Sequence, residues 1–254
     1  MGVRPRPALP FSRLIALLAV AALVVAAVVL AFGGREPTPV AEPSPTPGRR
    51  SAAPPPPCAV GERRARPAGY DDWDRTLVDP TFGLKPSYVP PDLVSIKRAG
   101  FRESYLVRRV MLDDLVALRD AAEQAGTPVG IAAAYRSYET QASLYRRRLD
   151  SEGRDEATGK TARPGHSEHQ LGTTVDFKTA GELDVSQSWE ITPAGQWMAD
   201  NAWRYGFVLV YPKHRTEITC YWFEPWHYRY FGRERAAEIR ASGLTVREFL
   251  WHER

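Results

Sequence analysis

The chain has 254 residues, which is enough for one ordinary domain or two small ones once non-globular ends are subtracted. A hydrophobic content of 43% and an aromatic content of 11% are typical of a folded domain with a core, and the formal net charge is only +4. This balance does not indicate a nucleic-acid-binding protein. The arginine run 146–148 is typical of a solvated helix face, with contact to anionic cell-surface polymers as the alternative.

The first predicted element is a membrane anchor. Residues 14–32 form an uncharged run of nineteen apolar residues, long enough to cross a bilayer core of roughly 30 Å. Arg4, Arg6 and Arg13 precede it, so residues 1–13 are expected in the cytoplasm and the remainder outside the membrane. A cleaved signal peptide is the alternative, although its apolar region is usually only about 7–15 residues long. We therefore expect a single-pass membrane protein with an extracytoplasmic domain.

A proline-rich segment follows the anchor. Residues 33–57 offer almost nothing to bury, which predicts an extended linker reaching up to ~75 Å from the membrane. The folded domain is expected to occupy residues 58–254. Cys58 and Cys220 are the two cysteines of the chain and lack the spacing of a zinc–thiolate site. A disulfide between them is an open expectation for a domain outside the cytoplasm.

The domain alternates helical and strand patterns. Residues 171–177 alternate apolar and polar side chains, which predicts a strand that turns Asp176 away from the packed face of Val175 and Phe177. Helices mixed with antiparallel-looking hairpins favour an α+β fold with a small antiparallel sheet and flanking helices. The predicted elements are helices 111–125, 138–149, 192–205 and one from Gly232, strands 129–134, 171–177, 207–211, 217–223 and 226–231, and a polar loop 153–167.

Two short stretches carry candidate metal ligands. His169 and Asp176 lie on either side of Gly172, and the later stretch FEPWH supplies Glu224 and His227. A catalytic zinc ion takes three nitrogen or oxygen ligands and keeps one open position, with a carboxylate beside it as base. We therefore predict His169, Asp176 and His227 as zinc ligands and Glu224 as the base, with Trp226 forming a wall of the site.

The remaining histidines are weaker candidates. His166 is close to His169 in an irregular segment, and we expect it to stabilise the loop rather than bind metal. His214 lies in a predicted turn and His252 in the C-terminal tail, so neither is expected to be a ligand. Each predicted ligand has an ordinary structural interpretation when taken alone, but two of the five histidines fall in these two stretches.

Three motifs give the chain a family resemblance: YRSYETQ at 135–141, SEHQLGTTVD at 167–176 and EPWHYRYFG at 224–232. They resemble the VanY-type zinc D-alanyl-D-alanine carboxypeptidases of the Hedgehog/D,D-peptidase fold, over roughly residues 77–232. The resemblance departs at Thr174, where the family often has alanine, and at residues 210–215, where Val210 and the run Lys213–Arg215 replace the family's usual pattern. The second departure concerns the loop on the substrate side.

The resemblance implies a role for each motif residue. It supports His169, Asp176 and His227 as zinc ligands and Glu224 as the catalytic base. Arg136 would stabilise the oxyanion of the reacting peptide bond or grip the terminal carboxylate of the substrate. Two further residues, Gln141 and Ser167, would contact the substrate.

The implied reaction removes the terminal D-alanine from peptidoglycan stem peptides. Two alternatives stay open: an endopeptidase of the same fold and, from another class, a non-catalytic cell-wall-binding module. Glu224 argues against the second, because a binding module has no need of a base. The serine penicillin-binding enzymes catalyse the same reaction, but their SxxK signature is absent from this chain.

Overall fold

The structure, a computed structural model, describes residues 53–153, 159–183 and 185–254. The predicted cytoplasmic segment, the anchor 14–32 and most of the linker lie outside these residues. Among the residues that are described, no helix is both long and apolar enough to cross a membrane.

The helices and strands of the described residues agree with an α+β fold. The strands are β1 Arg63–Arg64, β2 Phe82–Gly83, β3 Leu93–Ser95, β4 Leu106–Arg108, β5 Val129–Ala133, β6 Thr174–Thr179, β7 Phe207–Leu209 and β8 His227–Tyr230. The α-helices are α1 Leu112–Gln124, α2 Tyr138–Glu152, α3 Pro193–Asn201, α4 Thr216–Thr219, α5 Arg233–Ser242 and α6 Val246–His252. Short 3₁₀ helices link several of them, including Glu168–Leu171 directly before β6.

The central element is a four-stranded antiparallel sheet in the order β5-β6-β8-β7. Strands β6 and β8 are its two inner strands, and their register pairs Asp176 with His227 and Thr174 with Arg229. Residues directly opposite each other across an antiparallel pair share one face of the sheet. The register therefore places Asp176 and His227 side by side.

The two faces of β6 differ in chemistry, as the alternation of its sequence predicts. Val175 and Phe177 are fully buried in the main hydrophobic core, where α1 and α3 contribute residues such as Leu115 and Met198. Asp176 is also buried, at 8% exposure, but it points from the opposite face into a cavity. A strand covered on both faces holds its side chains in fixed positions, which suits a site that depends on distances.

Local capping explains where the helices begin. Ser137 accepts a hydrogen bond from the backbone N–H of Thr140 at the start of α2, and Thr192 does the same for Gly195 at the start of α3. Such N-caps satisfy backbone donors that a helix start leaves unpaired. The predicted helices 111–125 and 138–149 match α1 and α2 to within a few residues.

The predicted strand 217–223 is wrong. Thr219 and Cys220 donate backbone hydrogen bonds of 2.8 Å each to Arg215 and Thr216, so the start of this segment belongs to the short helix α4 and the rest forms no strand. The segment is rich in residues that favour strands, but strand propensity depends on packing against a neighbouring strand. Here Cys220 instead ends the helix with a positive φ of 71°.

The disulfide between Cys58 and Cys220 is present, with a Cα–Cα distance of 5.3 Å. It joins the predicted start of the domain to the segment after α4, across 162 residues of sequence. Arg247 reinforces the same junction, because its Nη1 donates to the carbonyl oxygens of Pro56 and Ile218 at 3.0 Å each. The segment just before the disulfide is thus held against the C-terminal half of the domain.

Candidate active site

The predicted ligands converge through strand register and one tight turn. The pairing of β6 with β8 supplies Asp176 and His227, and the 3₁₀ helix before β6 supplies His169. Gly172 ends that helix with a φ of 75°, a left-handed conformation that favours glycine. A Cβ at this position would also lie 3.0 Å from the side chain of Arg108. Gly172 therefore lets the chain turn from His169 into the strand that carries Asp176.

The three side chains form a compact buried cluster. His169 Nε2 lies 3.3 Å from Asp176 Oδ2, and His227 Nδ1 lies 3.2 Å from Asp176 Oδ1. Their ligand atoms all fall within 4.8 Å of one another, and each residue is no more than 8% exposed. No other group of this kind occurs among the residues that the structure describes.

Each histidine has one ring nitrogen committed to a protein acceptor. His169 Nδ1 is 2.8 Å from the carbonyl oxygen of Ala134, at the end of β5, which leaves Nε2 facing the cluster. His227 Nε2 is 3.1 Å from Glu168 Oε2, which leaves Nδ1 facing the cluster. Metal-binding histidines commonly donate their second N–H to a carbonyl or carboxylate in this way.

The charges of the cluster suit a cation. Burial alone would raise the pKa of Asp176, but the two neighbouring histidines outweigh it and hold that pKa well below its usual range. Burial alone would lower the pKa of His227, but the neighbouring carboxylates of Asp176 and Glu168 outweigh it and raise that pKa to about 10. The cluster thus keeps Asp176 ionised and favours the binding of a cation beside it.

The residues fit a zinc ion. Asp176 Oδ1 is buried, and none of the described residues gives it a hydrogen bond of acceptable geometry. Buried carboxylate oxygens are rarely left without a partner unless a metal or an ordered water supplies one. Two imidazole nitrogens and one carboxylate oxygen are also the donor types of mononuclear zinc sites with an open position.

Glu224 lies beside the cluster, as the sequence predicts. Its Oε2 is 3.4 Å from His227 Nδ1, and its side chain is 18% exposed. The backbone N–H of Glu224 donates to Tyr211, and that of His227 donates to the Glu224 carbonyl, so the turn through Pro225 is fixed at both ends. Burial raises the pKa of Glu224 to about 7, which suits a group that takes up and releases a proton near neutral pH.

A cavity of about 470 Å³ opens onto these groups. Arg136 lines it, and its Nη1 donates to Gln141 Oε1 at 2.8 Å. Gln141 is 1% exposed and donates in turn to the carbonyl oxygen of Ala162, so its amide orients Arg136. Ser167 and Trp226 also line the cavity. The substrate-contacting roles of Gln141 and Ser167 stay predictions.

The remaining histidines lie elsewhere. His166 is buried, with Nδ1 2.8 Å from the Asp79 carbonyl oxygen and Nε2 3.2 Å from Arg163 Nη2, so both ring nitrogens have protein partners. This arrangement agrees with a loop-stabilising role. His214 has a φ of 61°, as in a tight turn, and His252 belongs to α6.

Sequence reasoning missed Glu168. This residue precedes the ligand His169, yet it contacts the other histidine ligand, His227. In the sequence, Glu168 is simply one charged residue inside the motif 167–176. Its role becomes apparent only when its contact with His227 is known.

An α+β domain with a buried His–Asp–His metal centre, a glutamate beside it and an open cavity is typical of a mononuclear zinc hydrolase. A family model described as VanY, D-alanyl-D-alanine carboxypeptidase, matches residues 104–233. The chain belongs to this family.

Individual relatives agree with that assignment. A D-alanyl-D-alanine carboxypeptidase of Enterococcus faecalis (strain ATCC 700802 / V583) is 35% identical over 142 residues, covering 52% of this chain and 51% of the relative. The chain spans 51% to 65% of the length of the curated relatives that it matches.

The matches to solved structures of similar proteins cover a larger share of those proteins' chains. The LdcB LD-carboxypeptidase is similar with a TM-score of 0.62 and 31% identity, over 69% of this chain and 84% of LdcB. A mutant of the vancomycin-resistance D,D-pentapeptidase VanY from the VanB-type cassette, solved with Zn(II), has a TM-score of 0.59 and 30% identity, over 70% of this chain and 99% of that one.

Proposed function

We propose that this protein is a zinc-dependent D,D-carboxypeptidase that removes the terminal D-alanine from peptidoglycan stem peptides. The observation that carries the proposal is Glu224, a partly exposed carboxylate at the cavity, 3.4 Å from the ligand His227, whose pKa is raised to about 7. Membership of the VanY family supports the substrate class.

The donor set of His169, Asp176 and His227 would hold the metal. A zinc ion bound there supplies Lewis-acid chemistry, polarising a carbonyl group and acidifying water. The cavity admits the peptide end, and Glu224 takes a proton from the attacking water. Glu224 then returns the proton to the amine of the departing alanine. Burial of the site keeps these charges in a surrounding of low dielectric constant, where they interact strongly.

Arg136 is the cationic partner of the reaction. Arg136 lines the same cavity as His169 and Glu224, so its guanidinium lies near the reacting centre. We assign it to the oxyanion that develops as water attacks the carbonyl. Its hydrogen bond to Gln141 restricts its orientation in advance.

A second candidate is an L,D-carboxypeptidase, which would remove the D-alanine of a tetrapeptide stem. The similarity to LdcB favours it, because that structure matches with the higher TM-score of the two described above. The predicted catalytic residues serve either reaction, since both hydrolyse the last peptide bond of a stem.

The proposed location is the outer face of the cell membrane. The apolar run 14–32, with its preceding arginines, is the support from the sequence. The disulfide between Cys58 and Cys220 adds support, because disulfides persist mainly in oxidising compartments.

The test incubates the full chain in detergent, with zinc, against synthetic pentapeptide and tetrapeptide stems, and measures the products by mass spectrometry. Loss of one alanine from the pentapeptide supports the D,D-carboxypeptidase. Cleavage of the tetrapeptide alone selects the L,D activity, and release of a larger fragment selects an endopeptidase. Glu224→Ala is the control: if it retains zinc and hydrolyses as fast as the wild type, the role given to Glu224 is wrong.

A chelator provides an independent check on the class of enzyme. Removal of the metal should abolish hydrolysis, and added zinc should restore it. A labelled penicillin should leave the protein unmodified, since the chain has no SxxK serine. Covalent labelling by the penicillin would contradict the zinc mechanism.

A further inference from the structure

Glu168 is a buried carboxylate for which the reaction has no direct use. It is 2% exposed, and both of its oxygens have charged or polar partners. Oε2 lies 3.1 Å from His227 Nε2, and Oε1 accepts a hydrogen bond of 2.8 Å from Arg229 Nη1. The Glu168 carboxylate therefore bridges a predicted metal ligand and a buried arginine.

Arg229 holds this carboxylate from a rigid position. It is 0% exposed and lies two residues after His227 on β8, so both side chains are on the same face of the strand. Its Nη2 donates to the carbonyl oxygens of Trp73 and Thr76 at 2.6 and 2.8 Å. The guanidinium is thus fixed at one end by backbone and presents only donors to Glu168.

We propose that Glu168 is a positioning residue that fixes the tautomer of His227, and that Arg229 fixes Glu168. A neutral imidazole has one protonated nitrogen and one acceptor nitrogen. Because Glu168 only accepts, it retains the proton on Nε2 and leaves the Nδ1 lone pair directed at the metal position. The proposal rests on the metal site of the proposed function, but it does not depend on which peptide is cleaved.

Glu168→Gln is a sharp test because Arg229 dictates how the amide must lie. Arg229 Nη1 needs an acceptor, so the amide oxygen of the glutamine takes the position of Oε1. The NH₂ group then faces His227 Nε2, which must become the acceptor. The proton of the neutral ring moves to Nδ1, the nitrogen that the metal requires to be free. A substitution that conserves shape therefore reverses the tautomer.

The experiment uses the full chain in detergent, stripped of metal and titrated with Zn(II) in competition with a chromogenic chelator. Glu168→Gln should bind zinc about 10-fold to 100-fold more weakly than the wild type, as is typical for loss of such a partner. No peptide is present, so the result is independent of hydrolysis. If the wild type itself binds no zinc, both this proposal and the proposed function fail; if only the variant's affinity is unchanged, this proposal alone fails.

Asp79→Asn is the matched control. Asp79 is also a buried carboxylate, at 3% exposure, and its Oδ2 accepts a 2.7 Å hydrogen bond from Arg247 Nε. Among the described residues, neither Asp79 nor Arg247 has a side-chain hydrogen bond to a predicted metal ligand, so Asp79→Asn should lower the melting temperature and leave zinc affinity at the wild-type value. Equal loss of affinity in both variants would indicate general destabilisation and overturn the proposal.

A spectroscopic measurement on the wild type covers the case in which Glu168→Gln does not fold. Long-range ¹H–¹⁵N NMR of the zinc-loaded protein should show the Nε2 proton of His227 shifted strongly downfield, as a hydrogen bond to the buried Glu168 carboxylate requires. An Nε2 proton with the chemical shift of an imidazole that lacks a carboxylate partner would overturn the proposal without any mutation.

Discussion

Two buried clusters of charged side chains can be compared within this domain. The metal cluster consists of His169, Asp176 and His227 with Glu224 beside them. The Asp79 cluster consists of Asp79, Arg163, His166 and Arg247. Side-chain hydrogen bonds join Arg163 to His166 and Arg247 to Asp79, and the His166 ring contacts the Asp79 carbonyl oxygen. Both contain a buried aspartate and a buried histidine, so residue type and burial alone do not separate them.

The difference lies in what the aspartate oxygens contact. Asp79 Oδ1 accepts from the backbone N–H groups of Thr81 and Phe82, and Oδ2 accepts from Arg247. Asp176 Oδ1 has no such donor among the described residues. A carboxylate whose oxygens are all satisfied by protein stabilises structure, whereas one left with an unmet oxygen is available to a cation.

The space beside each cluster leads to the same conclusion. The metal cluster lines a cavity of about 470 Å³, whereas the pocket beside Asp79 and Arg247 measures about 10 Å³. The smaller space holds one water at most. We therefore assign chemistry to the metal cluster and stability to the Asp79 cluster, and the following four predictions concern these two roles.

The largest expected effect is that of Glu224→Gln on catalysis. It removes the proposed base while conserving shape, and kcat should fall by about 10² to 10⁴. Zinc content, measured by atomic absorption, should not change. Asp79→Asn provides the contrast, because it should lower thermal stability with kcat near the wild-type value. If Asp79→Asn reduced kcat as strongly as Glu224→Gln in folded protein, the division between the clusters would be wrong.

The second effect concerns stability at the junction that Arg247 supports. Replacing Cys58 and Cys220 by serine should lower the free energy of unfolding by about 2–5 kcal/mol, because the bond closes a loop of 162 residues in the unfolded chain. Urea unfolding under oxidising conditions measures the difference. The wild type in a reducing agent is the control and should show a similar loss. An unchanged midpoint in both would mean that the disulfide adds nothing to the hydrogen bonds of Arg247.

The third effect resolves the role of Arg136. Arg136→Lys keeps a positive charge but loses the planar guanidinium and its geometry towards Gln141, so kcat/KM should fall on the order of 10²-fold. The same factor is expected for a peptide with a free C-terminal carboxylate and for its C-terminal amide, since an oxyanion forms in both. A loss confined to the free carboxylate would instead assign Arg136 to the terminus of the substrate.

Particular residues show how far the sequence predicts this site. The period of β6 was sufficient to direct Asp176 away from Val175 and Phe177, because side chains alternate strictly along a strand. The triad and Glu224 were predictable from motifs that carry both ligand types and spacing. The cross-strand pairing of Asp176 with His227 was not, since register depends on contacts between segments far apart in sequence.

Glu168 and residues 217–223 are two features that the sequence alone did not predict correctly, each for a different reason. Glu168 gains its role from Arg229, which lies 61 residues away, and no local pattern connects them. Residues 217–223 contain strand-favouring side chains, but local backbone hydrogen bonds at Thr219 and Cys220 form the helical turn α4 at their start. The role of Glu168 thus depends on a long-range contact, whereas the strand propensity of residues 217–223 has no effect without a neighbouring strand to pair with.

The smallest expected effect concerns the pH dependence of stability at His166. Burial lowers the pKa of His166 in the folded protein; the Asp79 carbonyl and the charges of Glu62 and Asp79 oppose the shift, and Arg163 adds to it. The unfolded state therefore binds a proton more readily, so stability is present above the unfolded pKa of about 6.5 and is lost as pH falls below it. The slope from this one group cannot exceed about 1.4 kcal/mol per pH unit.

His166→Gln should remove that contribution. Urea unfolding at several pH values between neutral and mildly acidic should give a shallower loss of stability for the variant than for the wild type, even if the variant is less stable throughout. The kcat of the folded variant at neutral pH should stay close to the wild-type value, because His166 belongs to the Asp79 cluster. Parallel stability curves would show that His166 does not titrate in this range. A large loss of kcat would instead mean that His166 contributes to the reaction, although both of its ring nitrogens already contact protein groups.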